Sequence, residues 1–229
     1  TVTLNAGNYD LQGGAVSAAL AGSAGANVTV GTTTLSGTTA NTYAGTTTVG
    51  GGTLNLNKTA GVDAVAGNLT VSGGTVTLQA ANQIKNAANV VVSGGTLDIG
   101  ATSDTVNGVQ QTSGSISGSG GTLTSTTVFD MRGGTVSAIL GGTAGLNATV
   151  GTTTLSGVNS YTGTTTVGSG TLNLSGSMAT TGSLVVSGGT LDLQANNQQF
   201  AGVQQTSGTI QNGTVTLNVR PSISSISDL

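Results

Sequence analysis

The stretch LTVSGGTVTLQAANQIKNAANVVVSGGTLDIG, residues 69 to 100, decides the fold. The pentapeptide VSGGT starts in it at Val71 and again at Val92. Each copy leads into four residues in which polar and aliphatic side chains alternate, TVTL at 75–78 and TLDI at 96–99. An alternation with period two places the aliphatic side chains on one face of a β-strand and the polar side chains on the other. Each strand is therefore expected to have one buried and one solvated side.

The same alternation recurs along the whole chain, each time directly after a glycine. It is found at residues 53–56, 75–78, 96–99, 171–174, 190–193 and 214–217. The segments between these strands are rich in Gly, Ser and Asn and show no helical periodicity, which indicates turns. The sequence therefore predicts an all-β protein.

Longer repeats divide the chain into two related modules. Residues 9–37 return at 129–157 with an offset of 120. We place the modules at about 7–126 and 127–218, followed by a C-terminal cap or linker at 219–229. The second module has one VSGGT segment where the first has two, so the first carries one extra block as long as the interval from Val71 to Val92. Gain or loss of a block of this size is typical of one structural coil in a repeat protein.

A repeat of about 20 residues made of short strands predicts a single-stranded parallel β-helix, or β-solenoid, of about 11 coils over residues 1–218. With coils about 4.8 Å apart the rod would be on the order of 50 Å long. A β-sandwich or a closed antiparallel barrel would need hairpin turns and strands of more even length. One internal ladder is expected to contain Leu54, Val76 and Leu97, with Asn55, Thr77 and Asp98 outside. Leu56, Leu78 and Ile99 are also expected inside.

The composition excludes several classes of function. Four basic residues are too few for a nucleic-acid footprint or a polybasic membrane patch. The seven acidic residues are all Asp and lie singly along the chain. Without cysteine there is no disulfide, thiol nucleophile or thiolate metal site. No apolar run approaches the roughly 18 residues that a membrane helix needs.

The acidic residues do not form a catalytic pair. Asp98 and Asp192 occupy equivalent positions of the two modules, several coils apart, and Asp10 and Asp130 match in the same way. Glycoside cleavage needs two carboxyl groups, or a carboxyl group and a base, at close range. We therefore expect outward, solvated Asp side chains, no enzymatic activity and no cofactor.

Two further binding chemistries are also disfavoured. Residues 94–100, GGTLDIG, are similar to a glycine-rich calcium-binding nonapeptide, but Leu97 stands where that motif needs Gly and the repeat here is more than twice as long, so we expect no metal site. The TTT runs at 32–34, 46–48, 152–154 and 164–166 suggest threonine rows such as those of some ice-binding proteins. Coils with Asn55, Asp98, Asn173 and Asp192 are expected to interrupt such rows, and Thr is in any case a good strand former.

The aromatic residues are predicted to be packing groups. Tyr9 and Phe129 are equivalent in the two modules, as are Tyr43 and Tyr161, and Phe200 stands alone. A sugar-binding groove would need several exposed rings in a row, whereas single rings at repeated positions are typical of core or corner positions.

Two segments carry a family resemblance. LSGTTANTYAGTTTVGGGTLNLN at 35–57 and LSGVNSYTGTTTVGSGTLNLSG at 155–176 resemble the autotransporter-associated β-strand repeat, also called the passenger-associated transport repeat, of Gram-negative type V secretion. The resemblance implies an exported β-helical passenger stalk that is secreted or held at the outer-membrane cell surface. The resemblance also implies that the β-helix is right-handed, but it identifies a scaffold and an export route rather than an activity. Because the residues offer no catalytic pair, we expect a structural or adhesive, non-enzymatic function as stalk or fibre segment. A carbohydrate-binding or polysaccharide-cleaving module is the alternative, and ice binding is less favoured still.

The N-terminal residues are a candidate contact site. Thr1, Val2, Thr3, Leu4 and Asn5 read as a strand, and the same five residues, TVTLN, recur at 214–218. An open β-helix end offers unpaired backbone groups to further strands. The sequence therefore predicts end-to-end self-association, or direct continuation into more coils in a parent protein; the alternative is that the TVTLN match is ordinary repeat similarity. We expect no nucleic-acid partner and no membrane insertion by this segment.

Overall fold

A computed structural model describes residues 3–5 and 7–218 of the chain. Thr1, Val2 and the predicted cap or linker at 219–229 lie outside the described residues. The described part contains strands and turns and no helix. Every pairing between its strands is parallel. A chain of short parallel strands can close its hydrogen bonds only by stacking coil upon coil.

The strands follow one another at short intervals along the chain. They are β1 Thr3–Asn5, β2 Tyr9–Asp10, β3 Gly14–Val16, β4 Ala19–Ala21, β5 Ala26–Val28, β6 Thr32–Gly37, β7 Thr47–Val49, β8 Thr53–Lys58, β9 Leu69–Val71, β10 Thr75–Leu78, β11 Asn89–Asp98, β12 Asp104–Val106, β13 Gly108–Ser117, β14 Thr122–Ser125, β15 Phe129–Met131, β16 Gly134–Val136, β17 Ile139–Gly141, β18 Leu146–Ala148, β19 Thr152–Leu155, β20 Thr165–Val167, β21 Thr171–Leu174, β22 Ser183–Asp192, β23 Asn197–Phe200, β24 Gly202–Gln211 and β25 Thr214–Leu217.

These strands form three faces of a solenoid. Face 1 contains, in order, β2, β5, β7, β9, the first part of β11 and of β13, β15, β18, β20, and the first part of β22 and of β24. We number the coils 1 to 11 by these face-1 strands. Face 2 contains β3, β6, β8, β10, β16, β19, β21 and the second parts of β11, β13, β22 and β24. Face 3 contains β1, β4, β12, β14, β17, β23 and β25. The predicted parallel β-solenoid of about 11 coils is confirmed.

The register confirms the predicted internal ladder. Val76 pairs with Leu54 in the coil before it and with Leu97 in the coil after it. All three side chains are fully buried. The intervening residues pair in the same way, since Thr77 lies between Asn55 and Asp98 on the outer side. The alternation read from the sequence is therefore the alternation between core and surface.

The ladder changes its partners where the two sequence repeats meet. Leu97 is followed in the ladder by Ile116, Val136 and Leu155. In the first repeat, however, the equivalent of Leu155 is Leu35, which pairs with Leu56 rather than with Leu54. The second repeat is thus stacked two residues out of register with the first. Because a shift by two residues keeps every side chain on its own side of the strand, the core continues without a break.

The aromatic side chains pack inside, as predicted. Tyr9 contacts Tyr43 with ring centroids 6.2 Å apart, and Phe129 contacts Tyr161 at 6.0 Å. These four rings and Phe200 are all buried. They fill the wider parts of a core that otherwise consists of Leu, Val, Ile, Ala and Met.

Truncation of the ladder tests this arrangement. Leu97→Ala leaves a cavity between Val76 and Ile116 and is expected to lower the free energy of unfolding by about 2 to 5 kcal/mol. Asp98→Ala removes a half-buried outer group and is expected to cost about 1 kcal/mol. Urea unfolding followed by circular dichroism measures both. A larger loss for Asp98→Ala than for Leu97→Ala would contradict the assignment of the two faces.

Candidate functional site

Face 3 is the irregular face of the solenoid. Its strands pair only in three groups among the described residues, β1 with β4, β12 with β14 and β17, and β23 with β25. Two isolated bridges, Val65 with Ile84 and Val158 with Ser177, add single contacts elsewhere. Buried backbone N–H groups outside these pairings need other acceptors.

Two asparagines supply such acceptors at equivalent places. The Oδ1 atom of Asn41 accepts a hydrogen bond from Leu20 N at 2.9 Å, and the Oδ1 atom of Asn159 accepts one from Leu140 N at 3.0 Å. The Nδ2 group of Asn41 also donates to Ala64 O at 2.7 Å in the next coil. Both Asn side chains are 3% exposed. Each amide therefore adds side-chain hydrogen bonds between its own coil and its neighbours to the backbone hydrogen bonds made there, such as Thr42 N to Leu20 O and Ser160 N to Leu140 O.

Gln83, Asp104 and Gln198 act in the same way further along. Gln83 Oε1 accepts from Lys58 N at 2.8 Å, and Gln198 Oε1 accepts from Met178 N at 3.2 Å. Asp104 Oδ2 accepts from Gln83 N at 2.8 Å. We call Asn41, Gln83, Asp104, Asn159 and Gln198 the face-3 polar column. Each member accepts a backbone N–H of the preceding coil, and Asp104 is the member with a carboxyl group.

The sequence analysis missed this column. Its members lie in segments without period-two alternation, which were interpreted only as turns. One signal was present in the sequence, because Asn41 and Asn159 each stand two residues before the equivalent tyrosines Tyr43 and Tyr161. A polar residue that keeps its place relative to a core residue in two repeats has a structural reason to do so.

Asp104 is the most unusual ionisable group of the column. Its side chain is 1% exposed, and its Oδ1 atom has no hydrogen-bond partner among the described residues. Burial raises its pKa to about 6, against the lowering effect of hydrogen bonds from backbone N–H groups, and the charge of Asp63 raises the pKa further. A carboxylate in this position carries a charge that is only partly compensated.

Lys58 does not compensate that charge. Its Nζ atom donates to Ser36 O at 2.9 Å, and its burial lowers the pKa of the amine. The described residues form a single salt bridge, in which Arg132 Nη2 lies 2.9 Å from Asp130 Oδ2. The buried lysine thus serves as a hydrogen-bond donor between coils 2 and 3.

Asp98 and Asp192 lie far apart, in coils 5 and 10, and each binds its own turn. Asp98 Oδ1 accepts from Gly100 N at 3.0 Å, and Asp192 Oδ1 accepts from Gln194 N at 2.9 Å. The prediction of a solvated side chain is wrong for Asp192, which is 8% exposed. The reason is that Gln211, in the next coil, donates to Asp192 Oδ2 at 2.9 Å and helps to cover the carboxylate. This hydrogen bond is the main cause of the lowered pKa of Asp192.

Asp130 borders a surface cavity of the described rod. The cavity has a volume of about 290 Å³, and its lining includes Asn89, Gly108 and Val128. Burial raises the pKa of Asp130, but hydrogen bonds from Arg132 and Gln110 outweigh this effect, so the pKa is lower than usual. The lining residues include no aromatic ring. A carboxylate already paired with Arg132 is poorly suited to general acid catalysis.

The threonines form a more continuous row than the sequence predicts. The column with Asn55 and Asp98 is interrupted, as expected. A neighbouring column of face 2 has a hydroxyl group in seven successive coils, at Thr32, Thr53, Thr75, Thr96, Ser115, Thr135 and Thr154. The TTT runs do not reveal this column, because it consists mostly of the first Thr of each strand. This one column of face 2 is therefore a row of uncharged hydrogen-bonding groups, beside the column that contains Asp98.

The predicted contact site at the N-terminus is partly described. Thr3, Leu4 and Asn5 form β1, which pairs with β4 on face 3 and places Leu4 opposite Leu20. Thr1 and Val2 lie outside the described residues. At the other end, β25 pairs with β23 on the same face and places Leu217 opposite Phe200. Leu4 is 45% and Leu217 is 48% exposed, although both stand in core-facing columns.

Comparison with known protein families identifies the repeat. The model of the passenger-associated-transport-repeat matches residues 30–56, 150–172 and 167–193. These three segments are therefore similar to the passenger-associated-transport-repeat, and the resemblance seen in the sequence is confirmed. Neither the curated proteins nor the solved structures gave a significant match.

Each matched segment covers at least one full coil of the solenoid. Residues 30–56 begin just before β6 on face 2, pass through β7 on face 1 and return to face 2 with β8. Residues 150–172 run from β19 to β21, and residues 167–193 run from the end of β20 to the end of β22, so these two matches overlap at 167–172. The matched family repeat is thus slightly longer than one circuit of the solenoid.

Two general features of the described part bear on its possible sites. None of its segments is a helix long and apolar enough to cross a membrane. Within residues 3–5 and 7–218, no three His, Cys, Asp or Glu side chains are grouped so as to hold a metal ion.

The polar column can be tested in the second repeat. Asn159→Ala leaves Leu140 N without its acceptor and is expected to lower the free energy of unfolding by about 1 to 3 kcal/mol. Asn173→Ala is a matched control, since this Asn lies on the outer side of face 2 and makes only a long contact of 3.5 Å with Thr154 Oγ1. The control is expected to change stability by about 0.5 kcal/mol or less. Equal losses in urea unfolding would show that Asn159 has no special role.

Proposed function

We propose that the chain is a non-enzymatic structural segment of an autotransporter passenger, exported to the surface of a Gram-negative bacterium. The observation that carries this proposal is that the family repeat matches the chain three times and that each match spans at least one full coil. A stack of such coils is a stiff rod whose length increases by about 4.8 Å for each coil added. The segment then serves as a stalk that spaces or displays other parts of the surface protein, or adheres through its own polar columns.

The state of the acidic residues supports a function without catalysis. Asp98, Asp130 and Asp192 are each engaged in hydrogen bonds that fix a turn, an Arg or the next coil. Asp104 lies buried on face 3. A catalytic pair would need two carboxyl groups facing one accessible site at close range. The outer surface instead offers hydroxyl and amide groups, which suit solvation and weak, repeated contacts.

A spacer function predicts tolerance to whole-coil changes. Deletion of residues 71–91 removes one complete repeat and joins Thr70 directly to the VSGGT segment that starts at Val92, so all remaining coils keep their register. When the chain is displayed on a Gram-negative host through an autotransporter translocator, we expect this variant to be surface-exposed and as protease-resistant as the parent. Deletion of residues 71–81, about half a coil, is the control and is expected to abolish resistance, because it breaks the ladder.

Two results would contradict the proposal. Retention of the full-length chain inside the host would argue against a passenger segment. Specific binding on a glycan array together with cleavage of the bound polysaccharide would favour the sugar-active alternative instead.

We also propose that the isolated chain associates end to end with a second copy. β1 and β25, which fall within the two copies of the sequence TVTLN, lie on the same face, and each exposes a leucine from a core-facing column. Stacking of one end on the other buries Leu4 and Leu217 and pairs their backbone groups.

Light scattering at increasing concentration tests this association. We expect the mean mass to rise with concentration and Leu4→Lys to suppress the rise, because the charge would lie at the contact. Val30→Lys is the control, since Val30 is 53% exposed in a turn away from the ends. A particle that remains monomeric at high concentration would contradict the proposal.

A further inference from the structure

The junction between coils 4 and 5 on face 3 depends on one carboxyl group. Among the described residues no β-bridge joins these two coils on face 3, since Ile84 pairs back to Val65 and β12 pairs forward to β14. Asp104 Oδ2 instead accepts from Gln83 N at 2.8 Å and from Ile84 N at 3.0 Å. Two backbone hydrogen bonds flank them, from Asn82 N to Ser103 O at 3.0 Å and, at the end of the face, from Asn107 N to Ala88 O at 2.9 Å.

The second repeat has the same junction with a neutral residue. DIGATSDTVNGVQQTSG at 98–114 aligns with DLQANNQQFAGVQQTSG at 192–208, which places Gln198 at the position of Asp104. Gln198 accepts from Met178 N at 3.2 Å, and its Nε2 donates to Gly176 O at 3.1 Å. Both ends of the amide are therefore used. Asp104 uses Oδ2 alone, and its Oδ1 is buried without a partner among the described residues.

We propose that Asp104 makes the junction between coils 4 and 5 an acid-strengthened contact, weakest at neutral pH and tightened when the carboxyl group takes up a proton. A proton on Oδ1 removes the buried charge and leaves Oδ2 free to accept from Gln83 N and Ile84 N. Protonation thus removes the cost of burying a charge without loss of the two hydrogen bonds. The equivalent contact at Gln198 has no such dependence on pH.

The charged groups around Asp104 favour this behaviour. The charge of Asp63 raises the pKa of Asp104, in addition to the larger effect of burial. Burial raises the pKa of Asp63, and the positive charge of Lys85 partly opposes this effect. The amine of Lys58 is directed to Ser36 O. β14, which pairs with β12, carries no titratable side chain.

The sign of the effect follows from the direction of the shift. The pKa of Asp104 is raised from the ordinary 3.8 to about 6 in the folded chain. Between these values the folded state holds a proton that the unfolded state has released, so stability is lost as the pH rises from about 4 to about 6 and stays low above that. If Asp104 is the only group that titrates, the equilibrium constant for local opening of the junction between coils 4 and 5 is expected to fall roughly tenfold from pH 7 to pH 5.

Amide hydrogen exchange measured by NMR tests the proposal at the contact itself. After correction for the intrinsic exchange rate, the protection of the Gln83 and Ile84 amides is expected to increase about tenfold from pH 7 to pH 5, while that of the Met178 amide stays constant. The carboxyl carbon of Asp104 is expected to titrate near pH 6 in the same samples. Titration of this carbon near its ordinary value, or constant protection of Gln83 and Ile84, would overturn the proposal.

A reciprocal exchange of residues provides the matched variants. Asp104→Gln gives the first repeat the residue of the second and is expected to abolish the pH dependence at Gln83 and Ile84. Gln198→Asp is expected to create the same dependence at Met178. Asp63→Asn is expected to move the titration of Asp104 to lower pH without abolishing it. If an exchanged variant does not fold, the titration and exchange of the wild-type chain still decide the question.

Discussion

The whole structure depends on the hydrogen bonding of each coil to the coils on both sides. Parallel strands satisfy their backbone groups only in neighbouring strands, so every coil must repeat the path of the last one at the same spacing. This constraint selects glycine where turns stack closely. A Cβ atom on Gly95 would lie 2.2 Å from Gly74 O, and one on Gly189 would lie 2.3 Å from Gly170 O. The glycine that precedes each of these Thr-Leu strands is thus a requirement of stacking.

Face 3 shows what happens where this constraint is relaxed. There the chain leaves the common path, and side-chain oxygens replace the missing backbone acceptors. The amides of Asn41, Gln83, Asn159 and Gln198 can accept and donate at once, which suits a position between two coils. A carboxylate can only accept, and at Asp104 one of its oxygens has no partner among the described residues. The choice between amide and acid at one column position therefore determines whether a junction responds to pH.

The sequence predicts faces 1 and 2 well because burial there follows a period of two residues. Leu54, Val76 and Leu97 could be aligned by that pattern alone. The shift at the meeting of the two repeats could not be predicted, because a displacement by two residues leaves the pattern unchanged. The face-3 polar column was not predicted either, since Gln83 and Asp104 satisfy N–H groups that lack strand partners, and no periodic signal marks such groups. The burial of Asp192 was not predicted because it depends on Gln211 in the next coil, and no pattern in the sequence around Asp192 indicates that contact.

The polar column also explains how a coil can be added without damage. Coil 4, which lies between the two VSGGT segments of the first repeat, carries its own acceptor. Gln83 Oε1 accepts from Lys58 N in coil 3, and the N–H of Gln83 donates to Asp104 in coil 5. An inserted coil of this kind therefore provides an acceptor for a backbone N–H group of the coil before it. Its own backbone N–H group in turn needs an acceptor from the coil after it. Since each coil also extends the ladders of faces 1 and 2, the length of the rod can change while the number of unsatisfied buried groups stays the same.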